Sequence, residues 1–110
     1  MFQVHVGEGL KVLEDLQSTG PYDALFLDAE KLNYPSYFRW AEKNIRVGGA
    51  LTADNTFAWG YINDETFVSE NLKKNVLGIK EFNRIVTNSP SWRSTIIPTR
   101  SGITISVRIA

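Results

Sequence analysis

Two aspartates that close short apolar runs are the residues best placed for chemistry. Ala24-Leu25-Phe26-Leu27 is uninterrupted and ends at Asp28, with Lys31 and then Tyr34 following. Gly48–Asn55, read GGALTADN, repeats the design: a glycine turn, an apolar run, then Asp54-Asn55. In open parallel α/β sheets ligands sit beyond the carboxyl ends of the strands, so acids there are well placed. Two carboxylates and an amide oxygen on neighbouring strand ends form an all-oxygen set, suited to a hard cation such as Mg²⁺ or Ca²⁺ and not to zinc. A lysine beside such a cation has its ammonium form disfavoured, which makes Lys31 a candidate general base. Plainer uses stand beside these. Asp28 can cap a turn or helix, Asp54-Asn55 can form an Asx turn, and Lys31 can be a solvated charge.

The elements that must position these residues follow from periodicity. Phe2–Val6 alternates apolar and polar residues and predicts a first strand before a Gly7-Glu8-Gly9 turn. Leu10, Val12, Leu13 and Leu16 predict a helix to about Gln17, stopped by Gly20-Pro21. Ala24–Leu27 then predicts a strand buried on both faces. Pro35 suits a helix start, and Tyr37, Phe38, Ala41 and Ile45 predict the apolar face of that helix, closed by Gly48-Gly49. Leu51–Ala53 is the next strand. Thr56–Glu70 predicts a loop with aromatic content, and Asn71–Thr87 a longer helix carrying Leu72, Val76, Ile79, Phe82 and Val86 at helical spacing. Trp92–Ile97 and Ile103–Ile109 predict a closing antiparallel hairpin. The order β-α-β-α-β-α-β-β points to an α/β fold, a mostly parallel sheet with an antiparallel last strand.

Composition narrows the function classes. The chain has 110 residues, 43% of them hydrophobic and 22% charged, within the range of one soluble globular domain over 1–110. Twelve basic and 12 acidic side chains give zero formal net charge, and no basic stretch resembles a phosphate-tracking surface, so no nucleic-acid partner is expected. The absence of cysteine removes disulfides, thiolate metal sites and a cysteine nucleophile. No apolar run reaches the length of a membrane span and the N-terminus does not begin as a signal peptide, so the expected location is cytoplasmic, with no membrane partner. His5 reads as a strand residue without catalytic duty, and Trp40, Trp59 and Trp92 as packing residues. Gly7-Glu8-Gly9 lacks the third glycine of a dinucleotide loop, where Val12 stands. No tyrosine is followed by lysine four residues later, and neither a P-loop nor a G-x-S-x-G elbow is present.

Taken together, these segments resemble the cation-dependent, S-adenosylmethionine-using O-methyltransferases, the group that contains caffeoyl-CoA and catechol O-methyltransferases. The family pattern FDxxFxDADKxNYxxY is similar to the run from Tyr22 through Asp28, Lys31 and Tyr34 to Tyr37. Its GGxxxxDN segment is matched from Gly48 to Asn55, and its closing LPxxDGxT resembles Ile97–Thr104. Glu81-Phe82-Asn83 falls where the family carries a similar stretch. The resemblance implies a Rossmann-like methyltransferase sheet and S-adenosylmethionine as cofactor. It also implies a divalent cation, Mg²⁺ first, on Asp28, Asp54 and Asn55, with Lys31 taking the proton of a small hydroxylated, catechol-like acceptor. Gly9 and Asp28 take cofactor-contact positions, and Trp59 a substrate-contact position. In chain order this sequence departs from the family at Glu30, at Ala58-Trp59 where many members have Trp-Asn, and at Ser101 in place of aspartate.

The resemblance also implies that the family's N-terminal strands and glycine-rich cofactor loop are absent. The family sheet runs 3-2-1-4-5-7-6, and this chain is expected to supply strands 3 to 7, with Ala24–Leu27 left as an unpaired apolar edge. A truncated methyltransferase, held as a homodimer or by rearranged strand pairing, is the expectation. The alternative is a catalytically incompetent remnant serving as a self-associating or metal-binding module.

Overall fold

The apolar stripes and runs of the sequence resolve into three helices on a four-stranded sheet. A computed structural model describes residues 1–63 and 69–110. In chain order the elements are α1 (Gly9–Leu16), β1 (Tyr22–Leu27), α2 (Tyr34–Asn44), β2 (Ile45–Asp54), α3 (Glu70–Asn88), β3 (Trp92–Ile97) and β4 (Ile103–Arg108). Short 3₁₀ turns lie at Gln17–Thr19, Lys31–Asn33 and Ala58–Asn63. Part of the expected loop, 64–68, lies outside the described residues. The sheet order is β1-β2-β4-β3. β1 and β2 are parallel, and β4 runs antiparallel to both β2 and β3. β1, β2 and β3 therefore share a direction and β4 alone opposes them, as the element order predicts. The order also matches the 4-5-7-6 stretch of the expected sheet, so no strand pairing has rearranged.

The core forms between this sheet and the helices. Leu27, Leu51 and Ala53 from the strands meet Tyr34, Phe38 and Ala41 of α2 and Val76, Ile79, Phe82 and Val86 of α3, all buried. Phe38 takes Phe82 and Trp92 edge-on, at ring separations of 6.2 and 5.6 Å. Trp40 and Trp92 are packing residues, as expected; the Trp40 indole also donates to the Leu13 carbonyl and ties α1 to α2. Ser69 caps α3, its hydroxyl accepting the Leu72 N–H at 3.1 Å. Among the described residues, no helix is long and apolar enough to cross a membrane.

Three expectations are corrected. Phe2–Val6 is not a strand: it forms no ladder, and Phe2, Val4 and Val6 stand fully or almost fully exposed. Alternation specifies a strand only where a neighbour accepts its backbone hydrogen bonds, and no strand lies beside this segment. β1 is not buried on both faces. It is the edge of the sheet, and Phe26 is 67% exposed because its side chain points to the face without helices. The register places Phe26 in one row with Thr52, Ile105 and Thr95, none of them buried. Ile45 begins β2 instead of ending α2, which stops at Asn44. Gly48-Gly49 accordingly lies inside β2, at the register shift opposite Asp23; a Cβ on Gly49 would stand 2.7 Å from the Asp23 carbonyl.

The β3–β4 hairpin is pinned to the segment after β2 by two backbone hydrogen bonds, Thr56 N–H to Gly102 O at 3.1 Å and Phe57 N–H to Ser101 O at 2.9 Å. Gly102 has φ +76°, and a Cβ there would lie 2.8 Å from the Phe57 nitrogen. Gly102→Ala should therefore lower stability by about 1–3 kcal/mol through backbone strain and overpacking. Urea denaturation checks this, with a reduced midpoint and an unchanged m value as the expected result.

Candidate active site

The parallel register brings the two predicted strand ends together. Leu27 pairs with Ala53, so the next residues, Asp28 and Asp54, leave neighbouring strands at the same height. Adjacent strands are about 4.8 Å apart, which keeps both carboxylates on one rim. Tyr34, the first residue of α2, closes this arrangement from below. Its hydroxyl lies 2.8 Å from the Asp54 carbonyl and 3.4 Å from the Leu27 carbonyl, bridging the two strand ends. The ring is fully buried and packs edge-on against Phe82 at 5.5 Å. Burial pushes the Tyr34 hydroxyl up from its ordinary pKa, against the opposing pull of Lys31, so it stays a proton donor.

Lys31 sits in the 3₁₀ turn after β1, its side chain only 11% exposed. Its ammonium donates to Asp28 Oδ1 at 2.8 Å and to the Ala29 carbonyl at 2.9 Å, and lies 5.0 Å from the Tyr34 ring centroid. Burial disfavours the charge, but the hydrogen bond to Asp28 and the attraction of Tyr34 outweigh it and raise the Lys31 pKa. Lys31 is thus no freely solvated charge: the structure joins it to Asp28.

Asp54 Oδ1 accepts the Asn55 N–H at 2.8 Å and the Ser101 hydroxyl at 3.3 Å. The first of these is the local turn that the sequence offers as a plain reading of Asp54-Asn55. The described hydrogen bonds of both aspartates engage Oδ1 alone, leaving Oδ2 of each available. Asn55 adopts φ +62°, a left-handed conformation that asparagine tolerates well. Among the described residues no group of three or more histidine, cysteine or acidic side chains is arranged to hold a metal ion. Carboxylate and amide oxygens are nevertheless the ligand types that suit a hard cation that retains water.

The predicted cofactor contacts share a separate cleft of about 260 Å³, where Gly9 and Asp28 meet with Gly7, Leu27, Tyr37 and His5. Gly9 lets the Tyr37 hydroxyl approach the backbone closely: a Cβ there would meet that hydroxyl, and the phenol would have to shift. That hydroxyl donates to Glu30 Oε1 at 2.9 Å, which also receives Asn33 Nδ2 at 3.1 Å. Burial and the neighbouring Glu30 carboxylate push the Tyr37 pKa upward. His5, given no role from sequence, lines this cleft beside Asp28. Trp59, read from its type as a packing residue, is instead 47% exposed, because its turn places it outside the core, on a cleft of about 440 Å³ lined also by Gly60, Arg100 and Ser101.

Sequence reasoning missed the bridging role of Tyr34, the Ser101 hydroxyl on Asp54, and Asn83, whose Nδ2 donates to the Thr56 carbonyl at 2.9 Å and holds the segment after Asp54-Asn55 to α3. A signal existed for Tyr34, a phenol immediately before Pro35 at the start of an apolar helix face. None existed for Ser101, which reads as a departure from a motif.

The family model described as O-methyltransferase matches residues 1–109. The catechol O-methyltransferase of Niastella koreensis is 31% identical over 97 residues, covering 86% of this chain and 42% of that protein. The caffeoyl-CoA O-methyltransferase of Stellaria longipes is 29% identical over 109 residues, covering 94% of this chain and 45% of that protein. Among solved structures, the Bacillus cereus O-methyltransferase in complex with SAH superposes with a TM-score of 0.84 at 29% identity, covering 96% of this chain and 50% of that one. The O-methyltransferase TomG of Streptomyces achromogenes, in complex with SAM, gives 0.85 at 29%, covering 98% and 50%. The chain belongs to the O-methyltransferase family, whose members are S-adenosylmethionine-dependent enzymes. It spans less than half the length of the two curated relatives.

Replacing Tyr34 with phenylalanine keeps the buried ring and removes only the bridge between strand ends. Tyr34→Phe should cost about 1–3 kcal/mol, the usual penalty for a buried carbonyl left without its donor. Thermal or urea unfolding measures that loss.

Proposed function

We propose that this chain carries the acceptor-side machinery of a divalent-cation-dependent O-methyltransferase acting on a small, catechol-like hydroxylated acceptor. The observation that carries the reading is the equal height of Asp28 and Asp54 on paired parallel strands, with Lys31 bonded to the first. Asp28, Asp54 and Asn55 would hold the cation, Mg²⁺ first, through Oδ2 of each carboxylate and the asparagine amide oxygen. When bound, the cation lowers the pKa of hydroxyl oxygens placed on it, and S-adenosylmethionine supplies an electrophilic methyl group. Gly9 and Asp28 line the cleft assigned to the cofactor, where a side chain at position 9 would collide with Tyr37. Lys31 is the proton acceptor. It accepts only as the neutral amine: once the Asp28 carboxylate is engaged elsewhere, the hydrogen bond that raises the Lys31 pKa is lost, and burial then favours release of the ammonium proton to solvent before the acceptor's proton is taken up. Trp59 lines the acceptor side. Tyr34 and Ser101 touch no substrate in this scheme; they position the Asp54 backbone and carboxylate.

A homodimer is part of the proposal. The open sheet face, with Phe26, Ile97 and Val107 at 40–67% exposure, supports self-association. Sedimentation equilibrium should return twice the chain mass, and a strictly monomeric species removes this part of the reading.

Calorimetric titration of S-adenosylmethionine, with and without Mg²⁺, tests the whole. The expected result is saturable binding that Mg²⁺ tightens, with the Mg²⁺ effect abolished in Asp54→Ala. Lys31→Ala should lower methyl transfer to a catechol by about 10²–10⁴-fold, the typical worth of a general base. Transfer that persists at the parent rate in both variants would sink the mechanism.

A further inference from the structure

The cleft beside Trp59 holds a cation with no assigned partner. Among the described residues, the Arg100 guanidinium takes part in no hydrogen bond or ion pair, as is true also of Arg39 and Arg93; Arg100 differs from these in standing across a cleft from an exposed indole. Arg100 lies in the β3–β4 turn and lines the roughly 440 Å³ cleft with Trp59, Gly60 and Ser101. That volume suits a small ligand.

Both walls are fixed by backbone structure. The Arg100 side stands on the hairpin that Gly102 and Ser101 bind to Thr56 and Phe57. The Trp59 side lies in a tight turn held by Ala58 N–H to Asn55 O and Gly60 N–H to Phe57 O, both at 3.0 Å. Ala58 and Trp59 occupy left-handed backbone at φ +51° and +53°, a conformation that costs bulky residues energy and persists where surrounding bonds impose it. The turn leaves the indole 47% exposed at the cleft instead of in the core. Ser101, one of the lining residues, also donates its hydroxyl to Asp54 Oδ1 at 3.3 Å, which places this cleft next to that aspartate.

We propose that this cleft selects an acceptor that is both aromatic and anionic, with the Trp59 indole against the ring and Arg100 paired to a single carboxylate. A guanidinium forks onto a carboxylate through two parallel N–H donors, and an indole face accepts an aromatic ring by stacking. Among the described residues, Arg100 is the one arginine or lysine lining the cleft, which matches a monoanion better than a polyphosphate-bearing acceptor. The inference rests on the acceptor-methylation reading only for where the hydroxyls go; the anion site stands on its own residues.

The test compares three probes by calorimetry in the presence of Mg²⁺: 3,4-dihydroxybenzoate, 4-methylcatechol and benzoate. The dihydroxybenzoate should bind about tenfold tighter than the uncharged catechol, a charge-assisted pair being worth at least that factor. Arg100→Gln should bring the ratio of the two constants close to one, and Arg100→Lys should restore part of it, since a point charge replaces the fork. The Arg100 side chain makes no bond within the described structure, so the melting temperatures of both variants should match the parent's. A ratio near one in the parent, or a ratio indifferent to Arg100→Gln, overturns the proposal. Arg100-dependent binding of benzoate with no further gain from hydroxyls would support the anion site and overturn the methyl-acceptor reading. Failure of all three probes to bind overturns the anion site.

Discussion

One phenolic hydroxyl holds the rim of the candidate site in place. The strand ends that carry Asp28 and Asp54 expose backbone carbonyls where the parallel ladder stops, and Tyr34 meets both with a single proton donor. The donor works because burial keeps the phenol protonated and because Phe82 and the α2 helix leave the ring no other position. The α3 helix contributes twice to the same rim: Phe82 fixes the Tyr34 ring, and Asn83 ties down the segment after Asn55. The Glu81-Phe82-Asn83 stretch is distant in sequence from the aspartates yet determines how firmly they are held.

The helices cover one face of the sheet and leave the other open. Odd-numbered β2 residues such as Leu51 and Ala53 are fully buried while their even-numbered neighbours are only partly so. The buried set is rich enough for a core, with four aromatic residues from α2 joined to Phe82 and Trp92. The uncovered face and the β1 edge are the features that natural sheets ordinarily shield, because free backbone groups and apolar side chains invite further pairing. The chain, which spans half of its solved O-methyltransferase relatives, superposes on them with this strand order, and among the described residues its helices lie on one face of the sheet.

Most of the fold was legible in the sequence, for identifiable reasons. The helical spacing from Leu72 to Val86 is a signal that packing reinforces, whereas the alternation of Ile103, Ile105 and Val107 marks the strand but not its buried face, which carries Thr104 and Ser106. The misreadings occurred where two local patterns compete or where a partner is needed. Ile45 satisfies the apolar period of α2 and also the alternation of β2, and burial in the sheet decides for the strand. Phe2–Val6 has the alternation of a strand without a neighbouring ladder, and the backbone stays unpaired. Ala24–Leu27 stands at the sheet edge, as the family resemblance implied, but its unbroken apolar run does not mean burial on both faces, because Phe26 points to the open one.

At the candidate site the division is just as clear. The sequence by itself determined the chemical inventory: carboxylates and an amide oxygen at strand ends, a lysine one turn beyond, and a motif order that resembles one enzyme family. Only the tertiary structure decided which of these atoms meet. The height match of Asp28 and Asp54 comes from ladder register, the Tyr34 bridge spans 20 residues, and the Ser101–Asp54 bond spans 47. The pairing of Trp59 with Arg100 depends likewise on a hairpin docking onto a left-handed turn. Periodicity records which way a side chain faces along its own element. Register and docking are set by hydrogen bonds between elements, so their outcome is not written in any local stretch of sequence.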